Sequence, residues 1–339
     1  MRRKIYQELL QWKQRSGESA LLVQGARRVG KSYIVEAFAK AEYKSYILID
    51  FNLVDQPVKE MFEHDLVDLK TFFMKLTTYY GVKLYERESL IIFDEVQLFP
   101  RARSAIKYLV ADGRYDYIET GSLISIRENV KDILIPSEED HVDMYPLDFE
   151  EFLWANGNDT MMDFIRDCYR KKAPLGQALH RKAMDLFRQY LIVGGMPQAV
   201  NAFVKHNDFD EVDRVKRRIL NLYRDDIRKH AKGYEMKVEA IYDEIPSQMK
   251  NQNQHFKLSS LKQGARFDEY KDAMFWLSDA MIVNHCYNAT EPTFGLNLNR
   301  DRTLLKCYMG DTGLLISHAF DENGIVTGEV YKKLLLDKL

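Results

Sequence analysis

The chain has few of the residues and runs that mark disulfide-rich or membrane-spanning proteins. Its 339 residues include three cysteines, eight prolines and 17 glycines. Cys168, Cys286 and Cys307 are too few and too scattered for a disulfide framework or a paired-cysteine zinc site. The longest apolar runs have about four residues, whereas a membrane-spanning helix needs about 20. We therefore expect a cytoplasmic protein with no membrane segment.

The net charge is close to zero, but the charges are unevenly distributed. The formal charge is −2, from 49 basic and 51 acidic residues. Residues 1–150 carry 21 basic and 25 acidic side chains, whereas residues 166–232 carry 16 basic and 8 acidic. A locally basic stretch in a neutral chain indicates either an anionic partner or a solvated helix face. The sequence leaves both interpretations open.

The first 150 residues alternate short apolar runs with helical patterns. Five runs are typical of buried strands: ALLVQ at 20–24, YILID at 46–50, LIIFD at 90–94, YDYIET at 115–120 and VDMY at 142–145. Strands separated by helices pair in parallel through right-handed crossovers. The pattern predicts the α/β class, as a three-layer α/β/α sandwich with a parallel five-stranded sheet. Its carboxyl strand ends would carry the ligand-binding loops.

A glycine-rich motif lies between the first strand and the next helix. GARRVGKS at 25–32 matches G-x-x-x-x-G-K-[ST]. The glycines let backbone N–H groups face a polyphosphate, and the following helix adds its positive N-terminus. Lys31 would bridge the β- and γ-phosphates of ATP, and Ser32 would ligate Mg²⁺. The nucleotide-binding residues predicted here are Gly25, Ala26, Arg27, Arg28, Val29, Gly30, Lys31, Ser32 and Tyr33.

Two carboxylates follow the third apolar run. Asp94 would join the nucleotide site and hold Mg²⁺ through a water, which makes Ser32 and Asp94 the predicted metal residues. Glu95 could polarise the water that attacks the γ-phosphate. An acid pair in this place favours hydrolysis over phosphoryl transfer to a small acceptor. The predicted catalytic residues on these two motifs are Glu95 and Lys31.

The fourth strand ends in the hydroxyl-rich tip 120–122. A hydroxyl there can orient the attacking water; Ser122 or Thr120 is the candidate, and Ser122 completes the predicted catalytic set. A capping turn is the alternative interpretation. Spacing does not choose among the arginines that could act in trans, which are Arg101, Arg103, Arg114 and Arg127.

These motifs and several later ones occur in an order that resembles a known family. GARRVGKS, IIFDEVQ, IETGS and PLDFEEFL are followed by YLIVGGMPQAV at 190–200 and KCYMGDTGLL at 306–315. Together they resemble bacterial and archaeal AAA-type ATP-binding proteins with a C-terminal domain of uncharacterised function. The resemblance implies an ATPase of the additional-strand Glu class with strand order 5-1-4-3-2. It places Walker A at Gly25, Gly30, Lys31 and Ser32, Walker B at Asp94 and Glu95, and the sensor at 120–122.

One stretch departs from that family. Relatives often carry Leu-Ala-Gly-Arg before the Pro-Leu-Ser-Phe segment, whereas this chain has the acidic Ser-Glu-Glu-Asp at 137–140. An arginine role inferred for that stretch therefore does not carry over.

From Phe149 onward the apolar spacing becomes helical. A core stripe at Val212, Val215, Ile219 and Leu222 has four cations on its polar side. This basic face, within 212–232, either contacts phosphates or keeps the helix solvated. The four cations are Arg214, Lys216, Arg217 and Arg218.

Residues 236–310 have the pattern of three short helices and a β-ribbon, an order that predicts a winged helix. The third of these helices is acidic, which does not support groove binding by that face. Contact with a protein is therefore slightly favoured over contact with DNA.

The motifs together predict four segments: an AAA-type P-loop ATPase domain at 1–148, a helical domain at 149–234, a winged-helix-like domain at 235–318 and the start of a further domain at 319–339. Relatives continue into a restriction-endonuclease-like domain; we expect this chain to stop before it and to lack nuclease activity.

The predicted function is Mg²⁺-dependent ATP hydrolysis that moves the C-terminal domains against DNA, bound weakly and without sequence preference, or against a partner protein. The alternatives are a nucleotide-gated binding module with little hydrolysis and a DNA-binding regulator with a structural P-loop. An oligomer is compatible with the sequence but does not follow from it.

Overall fold

The computed structural model describes residues 1–15, 17–121, 138–250, 255–291 and 293–320. The chain divides into two compact units. The first is Arg3–Met144, and the second runs from Tyr145 onward together with Met1–Arg2. In the part of the chain that the structure describes, no helix combines the length and the apolar character needed to cross a membrane.

The first unit alternates strands and helices, as its sequence pattern predicts. Its strands are β1 (Ala20–Gly25), β2 (Ser45–Asp50), β3 (Ser89–Asp94), β4 (Asp116–Gly121) and β5 (Glu139–Met144). Its described helices are α1 (Ile5–Gln14), α2 (Lys31–Glu42), α3 (Gln56–Glu60, continued by a π-helical turn at Met61–Asp65), α4 (Leu69–Tyr80) and α5 (Pro100–Asp112).

The sheet is parallel throughout, with strand order β2-β3-β4-β1-β5. This confirms the predicted order 5-1-4-3-2. Strands β3 and β4 are buried over their whole length. A strand covered on both faces needs a continuous apolar run rather than an alternating one, which is what LIIF at 90–93 supplies. The carboxyl ends of β1, β3 and β4 consequently meet at one edge of the sheet.

An aromatic cluster fixes the carboxyl ends of β2 and β3. Phe51, directly after β2, packs edge-to-face on Phe62 and Phe93, with ring centroids 5.8 Å apart in each pair. Phe99 stacks on Phe51 at 5.4 Å. Such pairs add about 0.5–1.5 kcal/mol each beyond the area that they bury. The residue before Asp94 is therefore held by packing from several sides.

Strand β5 begins at Glu139, three residues before the predicted start. The reason is an ion pair: Nη2 of Arg103, on α5, lies 2.9 Å from Oε1 of Glu139, and both side chains are buried. Burial and the neighbouring Glu139 raise the pKa of the Glu119 carboxyl, on β4, well above its ordinary value. Paired charges can occupy a strand interior, and an apolar pattern does not detect them.

The second unit is mostly helical. Its described helices are α6 (Phe149–Ala155), α7 (Met161–Lys171), α8 (Gln177–Val193), α9 (Pro197–His206), α10 (Phe209–His230), α11 (Glu235–Lys250), α12 (Phe267–Asp279) and α13 (Thr312–Ala319). Strands β6 (Val283–Ala289) and β7 (Arg300–Met309) form an antiparallel hairpin. The second of the three short helices predicted within 236–310 is a single 3₁₀ turn at Leu258–Ser260. The order helix, turn, helix, hairpin is present, and its assignment as a winged helix stays a prediction.

Two sequence motifs of this unit interlock. Asp311 caps α13 and also accepts a 2.6 Å hydrogen bond from the N–H of Gly195, at the α8–α9 junction. A Cβ on Gly194, where φ is 79°, would lie 2.3 Å from Oδ1 of Asp311, and a Cβ on Gly313 would lie 2.3 Å from the carbonyl oxygen of Val193. The two segments YLIVGGMPQAV and KCYMGDTGLL therefore need glycine where their backbones approach each other.

Helix α10 differs from its predicted pattern. Lys216, predicted on the polar face, is fully buried, and its Nζ donates a 2.8 Å hydrogen bond to the carbonyl oxygen of Ile192. Arg217 is half-buried and donates a 2.7 Å hydrogen bond to the buried Asp213. In the predicted core stripe Val212 and Ile219 are buried, whereas Val215 and Leu222 are half-buried. Two of the four predicted surface cations stay exposed, namely Arg214 and Arg218.

Candidate nucleotide site

The P-loop joins the end of β1 to the start of α2. Gly30, at the N-terminus of α2, has φ of 96°, in the left-handed region that glycine adopts without strain. A Cβ on Gly25 would lie 2.3 Å from the carbonyl oxygen of Met144 on β5. Both motif glycines are thus required, one by backbone conformation and the other by close packing. The first four N–H groups of α2 lack helical partners and suit an anion.

Lys31 lies over the inner side of this loop. Its Nζ donates hydrogen bonds to the carbonyl oxygens of Gly25, at 3.0 Å, and Ala26, at 3.1 Å, and the side chain is buried. Arg3, which the sequence motifs do not include, donates a 3.1 Å hydrogen bond to the carbonyl oxygen of Val29. The ammonium group is therefore held beside the positive end of α2, where a polyphosphate would find both charges.

The other predicted P-loop residues divide by exposure. Ala26 and Val29 are buried, so only their backbones can face a nucleotide. Arg27 and Arg28 are exposed. Tyr33, in the first turn of α2, is 62% exposed.

The predicted metal residues are in direct contact. The Ser32 hydroxyl donates a 2.8 Å hydrogen bond to Oδ1 of Asp94, at the end of β3. Hydroxyl and carboxylate oxygens are the donors that Mg²⁺ takes, together with water and phosphate oxygens. Among the described residues there is no group of three or more His, Cys, Asp or Glu that could hold a metal ion. The donor set fits a Mg²⁺ that shares its coordination with nucleotide phosphates and water.

Thr120, at the end of β4, ties the two acidic residues together. Its hydroxyl donates to Oδ1 of Asp94 and accepts a 3.4 Å hydrogen bond from the N–H of Glu95. The side chain is fully buried. The hydroxyl of Thr120 is therefore engaged with the acid pair rather than open to a water. Ser122, the predicted catalytic hydroxyl, lies outside the described residues.

Glu95 has a left-handed backbone, with φ of 53° and ψ of 44°. A residue other than glycine pays about 1–3 kcal/mol for such a conformation, which is typical of functional sites. The side chain accepts a 2.5 Å hydrogen bond from Nε2 of the buried Gln97. Gln97 lies in the quoted segment IIFDEVQ, but the sequence pattern assigns no function to it.

The four arginines that could act in trans differ in their exposure and in their bonding partners. Arg103 forms the buried ion pair with Glu139 described above, so it is not available to act in trans. Arg114 binds the carboxylate of Asp112. Arg101 is exposed and makes a 3.4 Å hydrogen bond to the carbonyl oxygen of Phe62. Arg127 lies outside the described residues.

Two family models match the chain. A model described as an AAA domain matches residues 17–153, and one described as a domain of unknown function (DUF8612) matches residues 184–323. No curated protein matches the chain.

Several solved structures are similar to the chain. The Walker-type ATPase Paby2304 of Pyrococcus abyssi is similar with a TM-score of 0.51 and 13% identity, over 94% of this chain and 95% of that one. RuvB, the Holliday junction branch migration motor of Thermotoga maritima, gives a TM-score of 0.36 at 10% identity, over 84% and 89%. The ORC1 protein of Aeropyrum pernix in complex with DNA gives 0.33 at 10%, over 96% and 94%. Only the first is similar enough to support the fold. The chain thus carries an AAA-type P-loop domain at residues 17–153, followed at residues 184–323 by a domain of a family of unknown function.

Proposed function

We propose that the first unit binds ATP with Mg²⁺ and hydrolyses it to ADP and phosphate. The observation that carries the proposal is the pair of hydroxyls that meet on Asp94, one from Ser32 in the P-loop and one from Thr120 on β4. They bring the phosphate-binding helix N-terminus and the acid pair to one edge of the sheet. Mg²⁺, when bound, neutralises charge on the β- and γ-phosphate oxygens.

The roles of the side chains follow from their positions. Lys31 and the N-terminus of α2 hold the β- and γ-phosphates, and Ser32 with Asp94 orients the metal. Glu95 accepts the proton of the attacking water as a general base. Thr120 and Gln97 are positioning residues, since they touch Asp94 and Glu95 rather than the nucleotide.

Two observations favour hydrolysis over the alternatives. A nucleotide-gated module without turnover needs the P-loop and Asp94, but it has no use for a strained Glu95 with a buried hydrogen-bond donor on its carboxylate. A regulator with a purely structural P-loop has no use for a buried lysine beside the free N-terminus of α2. ATP hydrolysis explains both features, because it needs Glu95 as a base and Lys31 as a phosphate-binding cation.

We further propose that the cycle acts through the second unit on a nucleic acid or a partner protein in the cytoplasm. The three cysteines are free, which is consistent with a reducing compartment. The proposal includes the predicted domain boundaries, which follow residues 148, 234 and 318.

Two substitutions test the activity. Lys31→Ala should abolish tight ATP binding in a fluorescent-nucleotide titration, because it removes the charge held against the phosphates. Glu95→Gln should preserve ATP binding and lower phosphate release by about 10²–10⁴-fold. Lys40→Ala, on the exposed end of α2, is the matched control and should change neither measurement.

Unchanged affinity in Lys31→Ala would overturn the phosphate site. Phosphate release at the wild-type rate in Glu95→Gln would leave nucleotide binding in place but remove Glu95 as the base.

A further inference from the structure

The turn between α7 and α8 carries basic side chains without acidic neighbours in sequence. Residues 168–184 contain five Lys or Arg and no Asp or Glu. All five are exposed. One of them, Lys171, forms a 2.7 Å ion pair with Asp167. We define the basic tip as the other four cations with the adjoining aromatic residue: Tyr169, Arg170, Lys172, Arg181 and Lys182.

The acidic side chains on α7 and α8 are already engaged with other cations. Asp163 lies 3.5 Å from Arg166, which also contacts Glu150, and Asp185 lies 3.0 Å from Arg188. The four cations of the basic tip form no ion pair with any described residue. Their charge is therefore solvated and open to an external anion.

The two helices beside the turn contribute to one apolar cluster. Ile165 of α7, Leu175 of the turn and Ala183 of α8 belong to this cluster. Arg181 and Lys182 directly precede Ala183, whereas Arg170 lies in the last turn of α7 and Lys172 directly follows the helix. All four cations are exposed, so their charged ends extend into solvent on either side of the short turn.

The exposed ring of Tyr169 gives the basic tip a feature that can distinguish unpaired bases from a duplex, which charge alone cannot do. Tyr169 is 85% exposed, and its carbonyl oxygen accepts a 3.2 Å hydrogen bond from the N–H of Lys172, which keeps the two residues close together. Proteins that bind single-stranded nucleic acid combine cations that contact the backbone with aromatic rings on which bases stack. A duplex offers the same phosphates, but its bases are already stacked.

We propose that the basic tip binds the phosphate backbone of a single-stranded nucleic acid, with Tyr169 stacking on an unpaired base. This inference deepens the proposed output of the second unit by naming its partner, and it does not depend on ATP hydrolysis.

The basic tip differs from the basic face at 212–232, for which the sequence leaves phosphate contact and solvation both open. On α10, Lys216 and Arg217 have internal partners, and the helix carries seven basic and five acidic residues. The remaining exposed cations there lie among acids. The basic tip has no such balance, which makes it the stronger phosphate-binding surface.

The test is the binding of a fluorescein-labelled 20-nucleotide DNA, single-stranded or as a duplex, followed by anisotropy across a salt series. For the wild type, four phosphate contacts on a single strand predict a log–log salt slope of about −3. Replacing the four cations of the basic tip by Gln should flatten the slope to above about −1. Tyr169→Ala should weaken single-strand binding about tenfold without changing the slope.

A matched variant controls for net charge. Arg214, Arg218, Lys229 and Lys232 are exposed cations in and just after α10, and replacing them by Gln removes the same total charge. This variant should keep most of the wild-type slope. Circular dichroism and ATP titration should be unchanged in both variants, which separates loss of the surface from loss of folding and from failure of the nucleotide site.

Three results would overturn the proposal. They are undetectable single-strand binding by the wild type at 25 mM salt, equal loss of binding in the two charge variants, and duplex binding as tight as single-strand binding. Failure of Lys31→Ala to affect ATP would count against the proposed ATPase alone.

Discussion

Glu95 is held at both its backbone and its carboxylate. The N–H of Glu95 donates to Thr120, and Gln97 donates to one carboxylate oxygen. Glu95 directly follows β3, and its left-handed backbone ends the extended conformation of that strand. In its proposed role as general base, a carboxylate fixed in this way would need little reorganisation when a water is bound.

Gln97→Met should therefore lower kcat while leaving ATP affinity within about twofold. The substitution keeps the buried volume and removes a hydrogen bond to a charged group, worth about 1.5–3 kcal/mol, which corresponds to about 10–100-fold in rate. Steady-state phosphate release and fluorescent-nucleotide titration measure the two quantities. Gln56→Met is the control, since Gln56 donates to Glu60 on the exposed α3. A parallel loss of affinity would indicate a merely structural role for Gln97.

The site residues could be predicted from the sequence where they belong to a motif that requires both a particular backbone conformation and a particular charge. The sequence predicts the P-loop and the acid pair, and the structure places Ser32 beside Asp94. Arg3 and Gln97 were not predictable, because a side chain that bonds a carbonyl oxygen or a neighbouring carboxylate leaves no periodic signal. The Arg103–Glu139 pair was missed for the same reason.

Among the elements, α10 shows that a buried charged residue is assigned to the wrong face when burial is predicted from the polar–apolar pattern. The sequence assigns Lys216 to the surface, but the side chain lies among the buried residues of α10, and its ammonium group reaches Ile192 at the end of α8. Burial lowers the pKa of Lys216 to about 8, with Arg217 acting in the same direction and Asp213 and Asp311 in the opposite one. Strands β1 to β4, by contrast, were predicted to within one residue. The apolar runs of β1 to β3 are uninterrupted, whereas β4 was found although Asp116 and Glu119 lie within it.

This shift gives the second unit a defined pH dependence. The unfolded chain keeps the Lys216 proton up to its ordinary pKa of 10.5, whereas the folded chain releases it near 8. Between these values the unfolded state binds more protons, so the free energy of unfolding rises with pH. Below pH 8 both states are protonated, and the burial penalty is fully present.

Lys216→Met should remove this dependence. The difference in unfolding free energy between wild type and variant should change by about 2 kcal/mol in favour of the wild type from pH 7 to pH 9.5. Urea unfolding at both pH values, monitored by circular dichroism, measures it, and other titrating groups cancel in the difference. Lys229→Met, at an exposed position of the same helix, should show no such change. A flat difference would show that Lys216 keeps its ordinary pKa.

At the scale of the whole molecule, the question is whether nucleotide binding in one unit alters nucleic-acid binding in the other. The two candidate sites lie in separate compact units, Arg3–Met144 and the unit that begins at Tyr145. Coupling between two sites is reciprocal: if ATP changes the affinity for DNA by some factor, DNA must change the affinity for ATP by the same factor. That equality can be measured without knowing how the units move.

We expect a coupling factor of about 5 or more, in the range usual for allosteric proteins. Glu95→Gln is the suitable background, because it should bind ATP without consuming it during the titration. The Kd for ATP is measured with and without saturating single-stranded DNA, and the Kd for DNA with and without saturating MgATP. The two ratios should agree. Adding the four Gln substitutions of the basic tip should abolish DNA binding and leave the Kd for ATP at its DNA-free value. Two ratios of 1, with both ligands binding, would mean that the units act independently and that ATP hydrolysis drives something other than this contact.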